Sequence, residues 1–221
     1  MKSIDNMPDI IREIENALEF GKKIKPPPEL DLKIYYGCGT TRQPGYINVD
    51  VRNTNATDLV VGLWELSECL KQCCSEVYMS HVLEHFGSPG KAMRKGNNDV
   101  LGAILCVKKM LKDSGVIRIA VPNFKILCQM YINGEVPLYP KLLGRISGEQ
   151  EYPENLHKCV FDYEFLDYCL TYCGFEDIQS WDPINEGFNI DSSFDQINGT
   201  NTSLNLKAKI YKKGIKKFLN I

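Results

Sequence analysis

Two glycines and an aspartate, at the ends of neighbouring predicted strands, form the first candidate binding site. Gly37 and Gly39 flank Cys38 directly after the apolar run LKIYY, and Asp50 lies near the end of the next run, YINVDV. Glycine lets a backbone turn sharply and approach a ligand, because no Cβ stands in the way. An acidic side chain at the end of the second strand can accept hydrogen bonds from both hydroxyls of a ribose. Asp50 alone fits a strand-end turn equally well, but together with the glycines it favours ribose binding.

The segment HVLEH, residues 81–85, carries a second group of reactive side chains. It matches H-x-x-E-H, a pattern in which two histidines on one helix bind zinc in one class of peptidase. Such a site needs a third protein ligand and a helix long enough to present both histidines. His81 follows a predicted strand at once, and Gly87, Pro89 and Gly90 end any helix soon afterwards. We therefore expect no metal site, and His85 fits a structural role better than a catalytic one.

The elements that must position these residues alternate between strands and helices. Short apolar runs predict strands at 32–36, 46–51, 58–62, 75–80, 115–122, 177–181 and 203–211. Helical spacing of apolar residues predicts helices at 8–20, 99–111, 124–131 and 163–173. This alternation is typical of a mostly parallel sheet with helices on both faces. Ligands of such sheets bind beyond the carboxyl ends of the strands, where the glycine turn, Asp50 and HVLEH all fall.

Four segments, read in order, resemble the motif series of class I S-adenosylmethionine-dependent methyltransferases. They are YYGCGTTRQPGYINVD, DLVVGLWEL, EVYMSHVLEHF and LKDSGVIRIAVPNF. More narrowly, the chain is similar, over residues 32–182, to predicted small methyltransferases whose genes often lie among those for surface polysaccharides. The resemblance implies S-adenosylmethionine as the cofactor. It also implies an α/β, Rossmann-like sheet that is mostly parallel, with an antiparallel last strand and helices on both faces.

The resemblance assigns particular residues to the cofactor. It implies that the glycine turn surrounds the amino acid end of the cofactor and that the acid of the second strand holds the ribose. Other positions would flank the adenine or lie near the sulfonium and its methyl group. The implied cofactor-binding residues are Gly37, Cys38, Gly39, Asp50, Leu63, Ser80 and His81.

Two positions depart from the family pattern. Tyr35 stands two places before the first glycine, where these methyltransferases commonly carry an acidic residue. Gly62 stands where many have an acid that contacts the adenine amino group, and Glu65 is the candidate substitute. The loss of these two acids would weaken cofactor binding. A catalytically silent domain is therefore an alternative interpretation.

His157 and His81 are the candidate catalytic residues. The related enzymes often have an H-x-x-x-F-D stretch, matched here by His157, Phe161 and Asp162. Methyl transfer to a hydroxyl requires the loss of a proton, and a sugar hydroxyl is too weak an acid to ionise unaided near neutral pH. An imidazole over the cofactor would accept that proton. A role in ordering a lid fits His157 equally well, and Asp162 fits better as the N-cap of the following helix.

Composition excludes several classes of protein. The chain has 221 residues, with 26 Lys and Arg against 28 Asp and Glu, so no overall charge favours nucleic acid or an anionic membrane. No apolar run approaches the roughly 20 residues of a membrane span, and charged residues interrupt the N-terminus where a secretion signal is apolar. Nine cysteines without a C-x-x-C motif predict reduced, mostly buried thiols. These features predict a cytoplasmic protein.

The complete prediction has three segments and one activity. Residues 1–28 are expected to form a helical cap and a proline-rich connector, 29–212 the methyltransferase domain with a substrate lobe inserted at about 133–160, and 213–221 a basic tail. The predicted activity is O-methylation of a sugar or glycan intermediate. Methylation of a small metabolite at nitrogen or a carboxylate, and a silent domain that binds a nucleoside or a partner, are the alternatives. The expected partner is a small-molecule or glycan substrate, and a homo-oligomer stays open.

Overall fold

The computed structural model describes residues 7–24, 31–89 and 99–211. A seven-stranded sheet in the order β3-β2-β1-β4-β5-β9-β6 runs through it. Its strands are β1 Leu32–Tyr36, β2 Ile47–Asp50, β3 Leu59–Val60, β4 Cys74–Ser80, β5 Leu111–Pro122, β6 Phe175–Ser180 and β9 Ser203–Ile210. β7 Gln196–Ile197 and β8 Thr200–Asn201 form a separate hairpin. Neighbouring strands pair in parallel except at β9, which is antiparallel to both β5 and β6. The predicted mostly parallel sheet with an antiparallel last strand is confirmed.

In the described residues, six α-helices lie around the sheet. They are α1 Met7–Glu19, α2 Leu63–Cys69, α3 Val100–Met110, α4 Phe124–Ile132, α5 Leu143–Ser147 and α6 Tyr163–Tyr172. Three of them begin at an N-cap residue. The side chains of Asp99, Asn123 and Asp162 accept hydrogen bonds from backbone N–H groups of the first turn. The capping role predicted for Asp162 is confirmed, with Phe165 N donating to its carboxylate at 2.8 Å.

The main core lies on one face of the sheet. Alternate strand residues such as Ile34, Val77 and Ile119 are fully buried there, in one cluster with apolar residues of α1, α2, α3 and α6. Helix α1 contributes Ile14 and Ala17, so the predicted N-terminal helix packs onto the domain. Burial of this continuous apolar layer supplies the main driving force for the fold.

The opposite face is covered differently. The connections from β1 to β2 and from β2 to β3 are described throughout and contain no helix. Tyr35 and Tyr78 stack there with ring centroids 4.7 Å apart, and Trp181 lies at the edge of Tyr78. Both tyrosine hydroxyls donate to Asp191 Oδ2, at 2.9 and 2.8 Å. The polar segment after β6 therefore covers this face, and Tyr35 has a structural role.

The remaining predictions of organisation have mixed outcomes. All nine cysteines lie in the described ranges as free thiols and six are buried, which agrees with the expected use of cysteine as a small apolar residue. Within the described residues, no helix is both long and apolar enough to cross a membrane. The proline connector at 26–28 and the basic tail at 213–221 lie outside the described residues, and the domain boundaries stay predictions.

Candidate active site

The glycine turn after β1 contacts the acidic end of β2 directly. Gly37 and Gly39 both adopt left-handed backbone conformations, with φ of +75° and +56°. The turn is held by Gly37 N, which donates to Val49 O at 2.7 Å. Gly39 N donates to Asp50 Oδ2 at 2.8 Å. The structure therefore brings together the two features that the sequence paired across 11 positions.

The carboxylate of Asp50 is buried, with 4% of the residue exposed, and is held from two sides. Its Oδ1 accepts a hydrogen bond from Arg52 N at 2.9 Å and lies 3.5 Å from the Arg52 guanidinium. An ionised carboxylate offers about four acceptor positions, so these contacts leave capacity for the hydroxyls of a ligand.

The turn after β4 packs against the glycine turn. A Cβ built on Gly37 would lie 2.1 Å from Val82 Cγ2, a distance that real contacts do not reach. A Cβ on Gly39 would meet no described atom within 4 Å. Gly37 thus provides close packing against the turn after β4, whereas Gly39 faces open space, where the backbone is accessible to a ligand.

Sequence reasoning missed Tyr36, the last residue of β1. Its ring is buried in the main core, in the same apolar cluster as Leu63, the first residue of α2. Burial, and next the charge of Asp50, hold the pKa of Tyr36 above its usual value. Its position directly before the glycine turn was the sequence feature that could have identified Tyr36. Tyr36 therefore lies beside Leu63, which was predicted to flank adenine, and within the electrostatic influence of Asp50.

Glu65 lies close to the second departure from the family pattern. A Cβ on Gly62 would lie 2.3 Å from Glu65 Oε2, so the carboxylate occupies the space that a side chain at position 62 would take. That Glu65 substitutes for the missing acid stays a prediction.

His81 and Ser80 lie at the carboxyl end of β4, as predicted. Ser80 is buried. His81 has a φ of +51°, and its backbone N–H donates to Ala120 O at 2.8 Å. The His81 ring lies with Nε2 3.2 Å from Ser203 Oγ and Nδ1 3.5 Å from Glu84 Oε1. Burial lowers the pKa of His81 to about 4. Val82, and not His81, is the side chain that packs against Gly37.

The HVLEH segment forms one short turn and no long helix. A 3₁₀ turn spans Leu83–His85, and the left-handed His81 precedes it. The two histidines therefore do not share a helix, as the sequence indicated, so the zinc peptidase arrangement is absent from this described segment. Glu84 is buried, and neither carboxylate oxygen has a hydrogen-bond partner among the described residues. Burial raises the pKa of Glu84 to about 8.

His157, at the end of the segment predicted to be an inserted lobe, lies close to this turn. Lys158 N and Cys159 N both donate to the backbone carbonyl of Glu84, at 2.8 and 3.1 Å. His157 Nε2 lies 3.9 Å from Glu84 Oε1, and the ring centroids of His85 and His157 are 4.9 Å apart. Burial, and next the neighbouring His85, lower the pKa of His157 to about 4. All three histidines of the chain thus gather near Glu84.

The segment predicted to be an inserted lobe also lies close to the predicted cofactor-binding residue Asp50. The Arg52 guanidinium carbon lies 4.2 Å from the ring centroid of Tyr152, and Arg52 in turn contacts Asp50. Arg145 secures the lobe on its other side through two hydrogen bonds of 2.6 Å to the carboxylate of Asp195. A bidentate pair of this kind fixes orientation as well as position. Residues 145–157 therefore contact both Arg52, beside Asp50, and the turn that carries Glu84.

The strand order and the single antiparallel strand define a Rossmann-like class I methyltransferase fold. No family model and no curated protein matches the chain. Solved structures to which it is similar include a SAM-dependent methyltransferase from Archaeoglobus fulgidus, at 16% identity and a TM-score of 0.47, covering 91% of this chain and 93% of that one. A possible histamine N-methyltransferase from Thermotoga maritima has 15% identity and a TM-score of 0.47, covering 92% and 89%. The CurJ carbon methyltransferase has 13% identity and a TM-score of 0.47, and the chain spans 53% of its length.

Proposed function

We propose that the chain is a methyltransferase that uses S-adenosylmethionine. The observation that carries the proposal is the hydrogen bond from Gly39 to Asp50, at the carboxyl edge of the neighbouring strands β1 and β2. That edge is where sheets of this type bind nucleosides, and a carboxylate ending the second strand is suited to a ribose.

The residues present fit the cofactor. Gly39 leaves open space beside its backbone, and Asp50 retains acceptor capacity. Leu63 and Glu65, at the start of α2, would take the adenine end, while Cys38, Ser80 and His81 complete the proposed cofactor set. S-adenosylmethionine supplies the electrophilic methyl group, so the protein has to align the acceptor, exclude water and accommodate its proton.

As the finer assignment, we propose an oxygen of a sugar or glycan intermediate as the acceptor. The polysaccharide-linked resemblance supports the acceptor class, and the histidines near Glu84 support the removal of a hydroxyl proton. His157 is the first candidate to accept it and His81 the second. With pKa values of about 4, both rings are uncharged at neutral pH, so each keeps one unprotonated nitrogen. A cytoplasmic location belongs to the same proposal.

Binding of S-adenosylhomocysteine tests the cofactor proposal. Ligand at one hundred times its Kd is expected to stabilise the chain by about 2.7 kcal/mol. Asp50→Asn keeps the size of the side chain but removes its charge, and is expected to weaken binding about 10- to 100-fold. Thermal unfolding with increasing ligand measures both, and Asp177→Asn, at an exposed aspartate on the distant strand β6, is the matched control. No stabilisation at millimolar ligand would favour the silent domain.

A screen with labelled methyl donor tests the acceptor. Sugars, sugar nucleotides, amines and carboxylates are offered together, and label is expected on hydroxyl compounds. His157→Ala is expected to lower turnover by about 100-fold or more, while S-adenosylhomocysteine affinity is retained. Label confined to amines would overturn the sugar assignment. Unchanged turnover in His157→Ala would remove that residue from the reaction.

A further inference from the structure

Glu84, His85 and His157 form a cluster of metal-ligating side chains, of which the proposed reaction uses only His157. One ligand atom from each lies within 4.8 Å of the others. Two imidazoles and one carboxylate are a ligand set that zinc and other divalent transition metals use in proteins. The sequence alone did not indicate this set, because His157 lies 72 positions after His85 and the structure brings them together.

The hydrogen bonds of the two histidines define which ring nitrogen is free. His85 Nδ1 lies 3.2 Å from Leu156 O, and His157 Nδ1 lies 3.2 Å from Arg145 O. A carbonyl oxygen accepts and never donates, so each Nδ1 carries the hydrogen. Nε2 of each neutral ring is then left with its lone pair. Metal-binding histidines are typically held in this way, by donation from the second nitrogen to a backbone carbonyl.

Glu84 provides an independent observation. Only 1% of the residue is exposed, and both carboxylate oxygens lack a hydrogen-bond partner among the described residues. A buried polar group without a partner is costly, and a bound cation would satisfy it. The guanidinium of Arg145, which lines the cavity next to Glu84, is paired with the carboxylate of Asp195, so its charge is partly offset.

Space for an ion lies beside the cluster. A cavity of about 10 Å³ is lined by Glu84 and His157, but not by His85, together with Arg145, Cys159 and several apolar residues. That volume is about the size needed by one water molecule or one ion. Ligand bonds to zinc are about 2.0 to 2.2 Å long, so the three side chains would draw together around it.

We propose that Glu84, His85 and His157 bind a divalent transition-metal ion such as Zn²⁺. The three ligands leave at least one coordination position for water or for an oxygen of the acceptor. The inference concerns metal binding and does not depend on methyl transfer. Where both hold, the ion uses the lone pair of His157, which then acts as a ligand and not as the proton acceptor.

Metal titration of the full chain tests the inference. After metal removal, the protein is expected to bind one equivalent of Zn²⁺ in competition with a chromophoric chelator. His85→Asn and His157→Asn are each expected to weaken binding by at least about tenfold, since even outer partners of metal ligands contribute that much. Glu84→Gln, nearly the same shape, is expected to do the same. Circular dichroism checks that each variant is folded.

The nine cysteines require their own control, because thiolates also bind zinc. Cys106→Ser, at a partly buried cysteine on α3, is expected to leave Zn²⁺ affinity unchanged. The Co²⁺ derivative is expected to show visible d–d bands without a thiolate charge-transfer band. No stoichiometric binding, a thiolate band, or unchanged affinity in the two histidine variants would each overturn the proposal. Stabilisation by S-adenosylhomocysteine, measured on the same samples, separates this failure from that of the cofactor proposal.

Discussion

Replacing Gly148 with alanine is expected to disrupt the inserted lobe and the histidine cluster with it. Gly148 has a φ of +79°, and a Cβ there would lie 1.8 Å from the backbone oxygen of Asn155. The backbone of Asn155 cannot rotate away as a side chain does, so the segment around Asn155 must shift. His157, whose N–H donates to Ser147 O at 3.1 Å, would move with it. The combined strain and overlap are expected to cost about 2 to 4 kcal/mol.

Urea unfolding of Gly148→Ala measures this loss, and limited proteolysis locates it in the lobe. Gly134→Ala is the matched control, because Gly134 also has a positive φ, +69°, but its added Cβ would meet no described atom within 4 Å. We expect the control to lose about 1 kcal/mol from its backbone conformation alone. Equal losses in the two variants would show that the contact with Asn155 is unimportant.

Gly37→Ala is the second substitution with a large expected effect. The new methyl group would overlap Val82 Cγ2, 2.1 Å away, at a backbone φ of +75°. We expect a loss of about 2 to 3 kcal/mol in stability and weaker binding of S-adenosylhomocysteine, because the turn would be displaced from Asp50. Gly39→Ala, with its open surroundings, is expected to lose only the conformational part, about 1 kcal/mol.

A double-mutant cycle identifies the cause of that loss. Val82→Ala removes the overlapping atom. The stability lost by the double variant Gly37→Ala/Val82→Ala is therefore expected to be smaller than the sum of the two single losses, by about 1 kcal/mol or more. Urea unfolding of the four proteins provides the cycle. Additive losses would mean that the β1 and β4 turns do not contact as described.

The sheet could be predicted because its strands carry their own signals. β1, β4 and β5 are apolar runs ended by glycine or proline or by polar residues, and the first of them has the bounds that the sequence predicted. Helix α2 was missed because Leu63–Cys69 has only seven residues, fewer than a periodic pattern needs to be visible. The cover of the second face was also missed, since no local pattern shows that Asp191 reaches Tyr35.

The candidate site was predictable where its parts lie close in sequence. The pairing of the glycine turn with Asp50 follows from adjacent parallel strands ending at one edge, and it is present. The direction of the His81 ring was not predictable, because it depends on a left-handed backbone at a residue that is not glycine. The meeting of His157 with Glu84 depends on the path of the lobe, which local sequence patterns do not determine.

The hydrogen bonds of Asp191 have a consequence for the order of folding. They join it to Tyr35 and Tyr78, which lie 156 and 113 positions earlier in the chain. During synthesis the first half of the chain can pack its helices on one face of the nascent sheet. The rings of Tyr35 and Tyr78, however, stay uncovered until the segment that carries Asp191 has been made. Long-range closure of this kind slows folding and leaves aromatic surface accessible in the meantime.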